Sequence, residues 1–223
     1  MLNFLEPLRW ARRLVTAISE QVRWAKQGFS VPTPGLVKRS GLRRHGFKDA
    51  TWVETGTFTG VTTNFLAKVS QRVVSIEPEP ELFRKAKERF AETKNVEIIH
   101  GLSEDVFPEL LPTLRGKVNF WLDGHYSAGP THLGPQKTPI SDELKSITKN
   151  IKNFDGVCVI VDDIRGFGNT PLGLEDPDYP DIDTLVVWAN SNDLPWTIEH
   201  DMFIAKSRDI QEAFEVFDIK KIV

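Results

Sequence analysis

The sequence predicts an α/β domain built on a mostly parallel sheet, and two observations carry this prediction. From residue 50 onward, short apolar runs alternate with longer segments in which apolar residues recur at three- and four-residue steps. The first pattern is typical of buried parallel strands and the second of amphipathic helices. Near the carboxyl end, Trp196–Glu199 and Met202–Ala205 predict a hairpin that turns at His200-Asp201, which adds an antiparallel edge to the sheet.

Seven strands and six intervening or flanking helices are predicted from residue 50 to the end of the chain. Besides the two hairpin strands, the predicted strands are Thr51–Glu54, Arg72–Ile76, Val96–His100, Val118–Leu122 and Gly156–Val161. The predicted helices are Val61–Val69, Glu79–Thr93, Asp105–Leu111, Ile140–Ile151, Thr184–Asn190 and 208–216, and residues 216–223 are expected to be an extended tail. Such alternation indicates a doubly wound, Rossmann-like sheet with helices on both faces, occupying residues 50–223.

Residues 1–49 are expected to form a helical extension and linker before this domain. An amphipathic pattern over residues 3–27 predicts one helix, Pro32, Pro34 and Gly35 indicate a linker, and Leu36–His45 forms a short basic segment. We expect the first helix to pack on the domain or to join copies of the chain into a homo-oligomer. The alternative is a helix that lies on a membrane surface.

Charge and composition limit the partners and the cellular compartment that we expect for the chain. Residues 1–50 contain ten Lys and Arg against three Asp and Glu, so they carry +7, whereas the remainder carries −10 of the net −3. A basic front end suits acidic lipid, nucleic acid, an acidic substrate or an acidic partner, and it is also compatible with a solvated helix face. The single cysteine, Cys158, excludes an intramolecular disulfide and is expected to be buried. No apolar run approaches about 20 residues and no secretory pattern opens the chain, so we expect a cytoplasmic protein.

Polar and mostly acidic residues follow each of the first five strands. In an open parallel sheet the ligand lies outside the carboxyl ends of the strands, so five such ends in register predict a binding site, although any single acid could merely cap a helix. Glycines let the turn after the first strand come close to a ligand, and an acid after the second strand can accept both hydroxyls of a ribose. The candidate cofactor-binding residues are Glu54, Gly56, Thr57, Thr59, Gly60, Glu77, Leu102, Ser103 and Asp123.

The turn Glu54-Thr55-Gly56-Thr57-Phe58-Thr59-Gly60, the acid Glu77 and the closing hairpin resemble the class I S-adenosylmethionine-dependent methyltransferases. An acid stands where the first glycine of the dehydrogenase G-x-G-x-x-G pattern would be, and less backbone is therefore offered to a phosphate. S-adenosyl-L-methionine has no phosphate, which agrees with this difference. The resemblance covers roughly residues 50–206 and implies this cofactor.

A closer resemblance is to the metal-dependent sugar O-methyltransferases of the macrocin type. It lies in Leu122-Asp123-Gly124-His125-Tyr126 and Val161-Asp162-Asp163. The resemblance implies that Asp123, Asp162 and Asp163 hold a divalent cation such as Mg²⁺. It also implies that the general base lies two residues after the first ligand, where this chain has His125 instead of the family's aspartate. His125 and Asp123 are therefore the candidate catalytic residues.

Elementary chemistry agrees with this arrangement. A hydroxyl is a poor nucleophile toward a sulfonium methyl group, and a divalent cation both lowers the pKa of a coordinated hydroxyl and orients it. Three carboxylates suit a hard ion, and histidine titrates near neutral pH. We therefore expect O-methylation of a small-molecule hydroxyl, with sugars among the candidates. The alternatives are an NAD-dependent oxidoreductase, a non-catalytic Rossmann-like binding protein, and nucleic-acid methylation. The last is disfavoured because no Asn-Pro-Pro-Tyr-like run follows the fourth strand.

Overall fold

The computed structural model describes residues 6–124, 138–169 and 179–208, with side chains described from residue 15 onward. Seven α-helices and seven strands lie in these ranges, with three short 3-10 helices besides. The helices are α1 Glu6–Lys26, α2 Gly35–His45, α3 Val61–Val69, α4 Pro80–Phe90, α5 Ser103–Leu110, α6 Ile140–Asn150 and α7 Asp183–Ser191. The strands are β1 Thr51–Thr55, β2 Arg72–Glu77, β3 Val96–His100, β4 Lys117–Leu122, β5 Gly156–Val161, β6 Trp196–Glu199 and β7 Met202–Lys206. Apart from Arg208, the predicted last helix and the tail lie outside the described residues.

The seven strands form one sheet in the order β3-β2-β1-β4-β5-β7-β6. The first five are parallel to one another, and the β6–β7 hairpin runs antiparallel at one edge, with β7 paired to β5. The predicted fold class, a Rossmann-like and mostly parallel sheet with an antiparallel edge hairpin, is thereby confirmed. The chain adds strands toward one edge from β1 to β3 and toward the other edge from β4 onward. The point between β1 and β4, where this order reverses, is the place where such folds bind ligands.

Two apolar cores cover the two faces of the sheet. Successive strand residues alternate between them, because side chains of a strand point to opposite faces. Val53 packs with Phe107 and Ile147 in one core, whereas Trp52 packs with Leu66 and Leu42 in the other. Cys158 is a free and fully buried cysteine in the second core, as the sequence predicts.

The two N-terminal helices differ in how far they are buried against the domain. Helix α2 docks on the sheet, with Leu42 fully buried and Gly41 so close to Met202 of β7 that an added Cβ would lie 2.6 Å from its Cε. Helix α1, in contrast, is mostly exposed: between residues 15 and 26 only Trp24 is buried. The division at residues 49 and 50 stays a prediction, since α2 packs with residues on both sides of it.

None of the helices in the described part of the chain is both long enough and apolar enough to cross a membrane.

Candidate cofactor and cation site

The parallel register brings the predicted site residues to one edge of the sheet. Thr55 at the end of β1 is paired with Ile76 on one side and with Leu122 on the other. Glu77 and Asp123, which directly follow these partners, therefore flank the turn that begins at Gly56. In the same way Leu122 pairs with Val161, so the acids that follow β4 and β5 also lie side by side.

The turn from Gly56 to Gly60 is shaped by its two glycines. Gly56 has a φ of +86°, and a Cβ at this position would lie 2.9 Å from the carbonyl oxygen of Asp123. Gly60 has a φ of +69° directly before α3, where a Cβ would lie 2.7 Å from the ring of Phe90. Both positions combine a left-handed backbone with close packing, which only glycine tolerates. The turn is therefore pressed against the end of β4.

Glu54 lies beneath this turn in a chain of buried hydroxyls. Its Oε2 accepts hydrogen bonds from the hydroxyls of Thr63 and Ser75, both at 2.6 Å. Because a hydroxyl has one proton and Ser75 donates its own to Glu54, Thr57 donates to Ser75 Oγ, at 2.6 Å. Burial raises the pKa of Glu54 to about 7, and these hydrogen bonds only partly oppose the rise. The structure thus places Glu54 and Thr57 as supports of the turn.

Glu77 is held by two backbone amides. The N–H of Phe58 donates to Oε2 at 2.7 Å, and the N–H of Glu79 donates to Oε1 at 2.9 Å. Burial raises the pKa of the carboxyl group, and the two amides work against that rise. A carboxylate has about four acceptor positions, so two remain after these bonds are made. Glu77 is therefore fixed in place, with acceptor positions that these two amides do not use.

Three further predicted cofactor residues lie around this turn and the end of β3. Thr59 is exposed, and its carbonyl oxygen accepts a hydrogen bond from Arg89 of α4. Leu102 directly precedes α5 and Ser103 is its first residue, buried at 6% exposure. The amide of Gly101 donates to the carbonyl of Glu77 at 3.2 Å, which ties this segment to the end of β2.

Asp123, Asp162 and Asp163 form an acidic cluster, in which one carboxylate oxygen of each lies within 4.8 Å of the others. Burial and the neighbouring carboxylate of Asp162 raise the pKa of Asp123 well above its ordinary value, although Lys38 acts in the opposite direction. Burial likewise raises the pKa of Asp162 to about 6, against the effect of Lys38. The structure thus brings the three predicted metal ligands together.

A cation from the N-terminal extension already touches this cluster. The ammonium of Lys38, in α2, lies 2.7 Å from Asp162 Oδ2 and 2.7 Å from Asp163 Oδ1, with its side chain 14% exposed. Burial alone would lower the pKa of Lys38, but the two carboxylates outweigh it and raise that pKa above its ordinary value. Lys38 is therefore a charged, almost buried member of the site.

A second cation extends the network to the hairpin. The guanidinium of Arg165 makes ion pairs with Asp163 and with Asp201, and its backbone N–H donates to Asp201 Oδ1 at 3.3 Å. Asp201 is fully buried, and Arg165 opposes the rise that burial causes in its pKa. The β6–β7 turn is in this way part of the site's scaffold.

The donor set fits the divalent metal that the resemblance implies. Carboxylate oxygens are the ligands that hard cations prefer. Asp162 Oδ1 is buried and has no hydrogen-bond partner among the described residues. When all are ionised, the four carboxylates and two cations of this network carry a formal charge of −2, which a divalent ion would neutralise.

A narrow cleft adjoins the cluster. Asp162 lines it together with Gly124, Thr138, Glu143 and Tyr179, and it has room for about one water molecule. Glu143, on α6, is 1% exposed, and its Oε1 would lie 3.5 Å from a Cβ placed on Gly124. The predicted base His125 lies outside the described residues, so its catalytic role stays a prediction.

Sequence reasoning did not find Lys38, Arg165, Asp201 or Glu143 as site residues. Lys38 counts only as one of ten basic residues in the first fifty, and Asp201 only as a turn residue. No local pattern marks them, because their position depends on how α2, α6 and the hairpin pack. The acidic pair that follows β5 was the one signal available, since buried acids demand cationic partners.

No protein-family model matches the chain, and neither does any curated protein sequence. Among solved structures it is similar to a SAM dependent methyltransferase from Aquifex aeolicus, with 17% identity and a TM-score of 0.49 over 75% of this chain and 86% of that chain. Fibrillarin from Aeropyrum pernix, crystallised with natively bound S-adenosyl-L-methionine, has 15% identity and a TM-score of 0.45 over 72% and 67%. An rRNA methylase from Streptococcus thermophilus has 13% identity and a TM-score of 0.45 over 79% and 97%.

Proposed function

We propose that the protein is an S-adenosyl-L-methionine-dependent methyltransferase that methylates a hydroxyl group of a small molecule. The observation that carries the proposal is the coupling of the glycine turn to Glu77, made by the hydrogen bond from the Phe58 amide to Glu77 Oε2. This hydrogen bond links two features. One is the glycine turn, which lacks the first glycine of the phosphate-binding pattern, and the other is a carboxylate that is held in place to accept hydroxyl hydrogen bonds. The strand order, with its antiparallel β7, agrees with the same class of fold.

The proposed cofactor position follows from the edge of the sheet. Glu77 accepts the two ribose hydroxyls through its remaining acceptor positions, and the turn Gly56–Gly60 passes under the nucleoside. Leu102 and Ser103 lie at the end of the neighbouring strand β3, on the side where the base would extend. Asp123 lies on the other side, toward β4 and the acidic cluster. This arrangement directs the sulfonium end of the cofactor toward the cluster.

The rate of methyl transfer depends mainly on how the protein positions the two reactants. The acceptor oxygen attacks the methyl carbon in line with the carbon–sulfur bond, the oxygen–carbon bond forms as that bond breaks, and S-adenosylhomocysteine leaves. Holding the two reactants in line supplies much of the rate enhancement. His125, two residues after Asp123, is the proposed acceptor of the hydroxyl proton.

Asp123, Asp162 and Asp163 are the residues that would hold a divalent cation. When bound, such an ion would lower the pKa of the acceptor hydroxyl and orient it. The chain's own contribution is to gather the three carboxylates at the ends of β4 and β5 and to pack Arg165 and Lys38 around them.

A small acceptor is favoured over nucleic acid by the ion pairs of the basic segment. Lys38 is engaged with the acidic cluster, and Arg44 pairs with Glu199, which His45 also contacts at 2.8 Å. Three of the basic groups of this segment are thus already paired with acidic side chains of the domain.

Cofactor binding tests the proposal directly. We expect calorimetric titration with S-adenosylhomocysteine to give micromolar binding, and NAD to give none. Glu77→Ala should weaken S-adenosylhomocysteine binding at least about tenfold, because hydrogen bonds to the ribose from a charged acceptor are lost. Glu97→Ala, which removes an exposed acid of β3 that pairs with Arg72, is the matched control and should bind as the unchanged protein does.

Three results would contradict the proposal. Binding of NAD in preference to S-adenosylhomocysteine would favour the oxidoreductase alternative. Equal S-adenosylhomocysteine affinity in Glu77→Ala and Glu97→Ala would remove Glu77 from the cofactor site. Binding without consumption of S-adenosylmethionine across a range of hydroxylated compounds would favour the non-catalytic alternative.

A further inference from the structure

We propose that Lys38 is an internal cation that occupies the cation position of the acidic cluster, so that a divalent ion binds there only by displacing the lysine side chain. Helix α2 of the N-terminal extension would thus control metal loading of the site. The inference rests on the metal site of the proposed function and deepens it, because it assigns a role to a residue more than a hundred positions away in the chain.

The contacts of Lys38 define this role. Its Nζ lies 2.7 Å from one oxygen of Asp162 and 2.7 Å from one oxygen of Asp163, which are two of the three residues that approach closely enough to share an ion. A divalent cation on the same carboxylates would meet this ammonium at short range, in a region largely shielded from solvent. Like charges so placed repel strongly, since few water molecules lie between them. Lysine and metal are therefore competitors.

Asp162 Oδ1 is the atom at which an incoming ion would first bind. Asp162 Oδ1 is buried and accepts no hydrogen bond among the described residues, whereas Oδ2 of the same carboxylate accepts from Lys38. A buried carboxylate oxygen without a partner is unfavourable and attracts a cation. Binding at Oδ1 would leave Lys38 in place at first, and closure around the ion by the other carboxylates would then expel the ammonium.

Lys38 can leave without unfolding the site. Its charge is at the end of a long flexible side chain, while α2 itself stays anchored farther along by Leu42, which is fully buried, and by the ion pair between Arg44 and Glu199. Asp163 meanwhile keeps its ion pair with Arg165, whose backbone and side chain are both bound to Asp201. Of the two cations in the network, Lys38 is therefore the one that can be exchanged.

The test is a comparison of metal affinities. Mn²⁺ is titrated into the full chain, into Lys38→Met and into Arg43→Met, and followed by calorimetry and by the electron paramagnetic resonance signal of free Mn²⁺. We expect Lys38→Met to bind Mn²⁺ at least about tenfold more tightly than the unchanged chain, because an opposing charge near the ligands is removed. Arg43→Met removes one positive charge from an exposed position of the same helix and should bind as the unchanged chain does.

Further variants identify the site. Lys38→Arg keeps the charge and should keep the weak affinity. Asp162→Asn in the Lys38→Met background should abolish the tight binding. Equal affinity of the unchanged chain and Lys38→Met would overturn the proposal, and so would the absence of saturable Mn²⁺ binding in Lys38→Met.

A measurement on the unchanged chain covers the case in which Lys38→Met does not fold. A crystal soaked in concentrated Mn²⁺ should show anomalous density among Asp123, Asp162 and Asp163 with the Lys38 side chain turned away. Density there while Lys38 still contacts both carboxylates would refute competition. S-adenosylhomocysteine binding is measured on the same samples without metal: its failure would remove the proposed function and leave the competition result standing.

Discussion

At the scale of single residues, two buried carboxylates at the same edge of the sheet accept hydrogen bonds from different kinds of donor. Glu54 is bound by side-chain hydroxyls, which can also serve a protonated acid. Glu77 is bound by backbone amides, which favour the ionised form. The first therefore supports the turn as a group that titrates near neutral pH, and the second remains an acceptor.

The pKa of Glu54 leads to a prediction about stability. Because the folded pKa, about 7, lies above the unfolded value of 4.5, the folded protein keeps a proton that the unfolded chain releases between these values. Its contribution is thus fully present below pH 4.5 and is lost as the pH rises through 7. We expect Glu54→Gln to gain stability relative to the unchanged protein over this window, by up to about 3 kcal/mol at pH 8.

Urea unfolding of both proteins at pH values from 4.5 to 8 measures this difference. Glu97→Gln, at an exposed position, is the control and should show no such trend. A difference between Glu54→Gln and the unchanged protein that stays constant with pH would contradict the assignment.

The three aspartates of the cluster could be predicted from the sequence, whereas Lys38 could not. Asp123, Asp162 and Asp163 follow buried parallel strands, and the carboxyl ends of such strands must meet at one edge. The position of Lys38 depends on the docking of α2, which is decided by contacts such as Gly41 with Met202. A local pattern does not encode a contact of that kind.

At the scale of elements, the turn between β1 and α3 depends on a close approach to β4. We expect Gly56→Ala to lower the free energy of unfolding by about 1–2 kcal/mol for the left-handed backbone and by about 1–3 kcal/mol more for the overlap with the Asp123 carbonyl. Gly116→Ala is a matched control, because Gly116 has a φ of +78° with nothing within 4 Å of its Cβ position. Urea unfolding should show the larger loss for Gly56→Ala. Equal losses would mean that the close approach is unimportant.

The hairpin illustrates what element-scale patterns do and do not predict. Its two strands and its turn were predicted with nearly the observed bounds, because they are local. The sequence interpretation did not say which strand pairs with β5. The structure places β7 inside, with Met202 to Ala205 all buried, and β6 outside. The continuous apolar run of β7 agrees with that inner position, since it is covered on both faces.

At the scale of the whole molecule, the alternating strand and helix periodicities predict the fold, but they do not predict that the apolar face of α1 is exposed. Its apolar residues Val15, Ile18 and Val22 are 67%, 55% and 48% exposed. An exposed apolar stripe of this kind suits contact with another copy of the chain. Self-association through α1 stays a prediction.

We expect the protein to sediment with about twice the mass of its 25.3 kDa chain at micromolar concentration, and the double variant Val15→Glu with Ile18→Glu to sediment as a monomer. Charges placed in an apolar contact oppose its burial. The double variant Thr16→Glu with Ser19→Glu changes the charge equally at exposed positions outside the stripe and should remain a dimer. Analytical ultracentrifugation decides: identical masses for the two double variants would exclude α1 as the interface.

The inner position of β7 has a consequence for synthesis on the ribosome. All six residues of β5 are buried in the finished protein, yet the strand that covers its open side is made only after residues 162–201 have been added. Until then a nascent chain displays Gly156–Val161 as a bare apolar border, of the kind that templates aggregation. Translation that stalls in this interval should therefore yield chains that depend on chaperones to stay in solution.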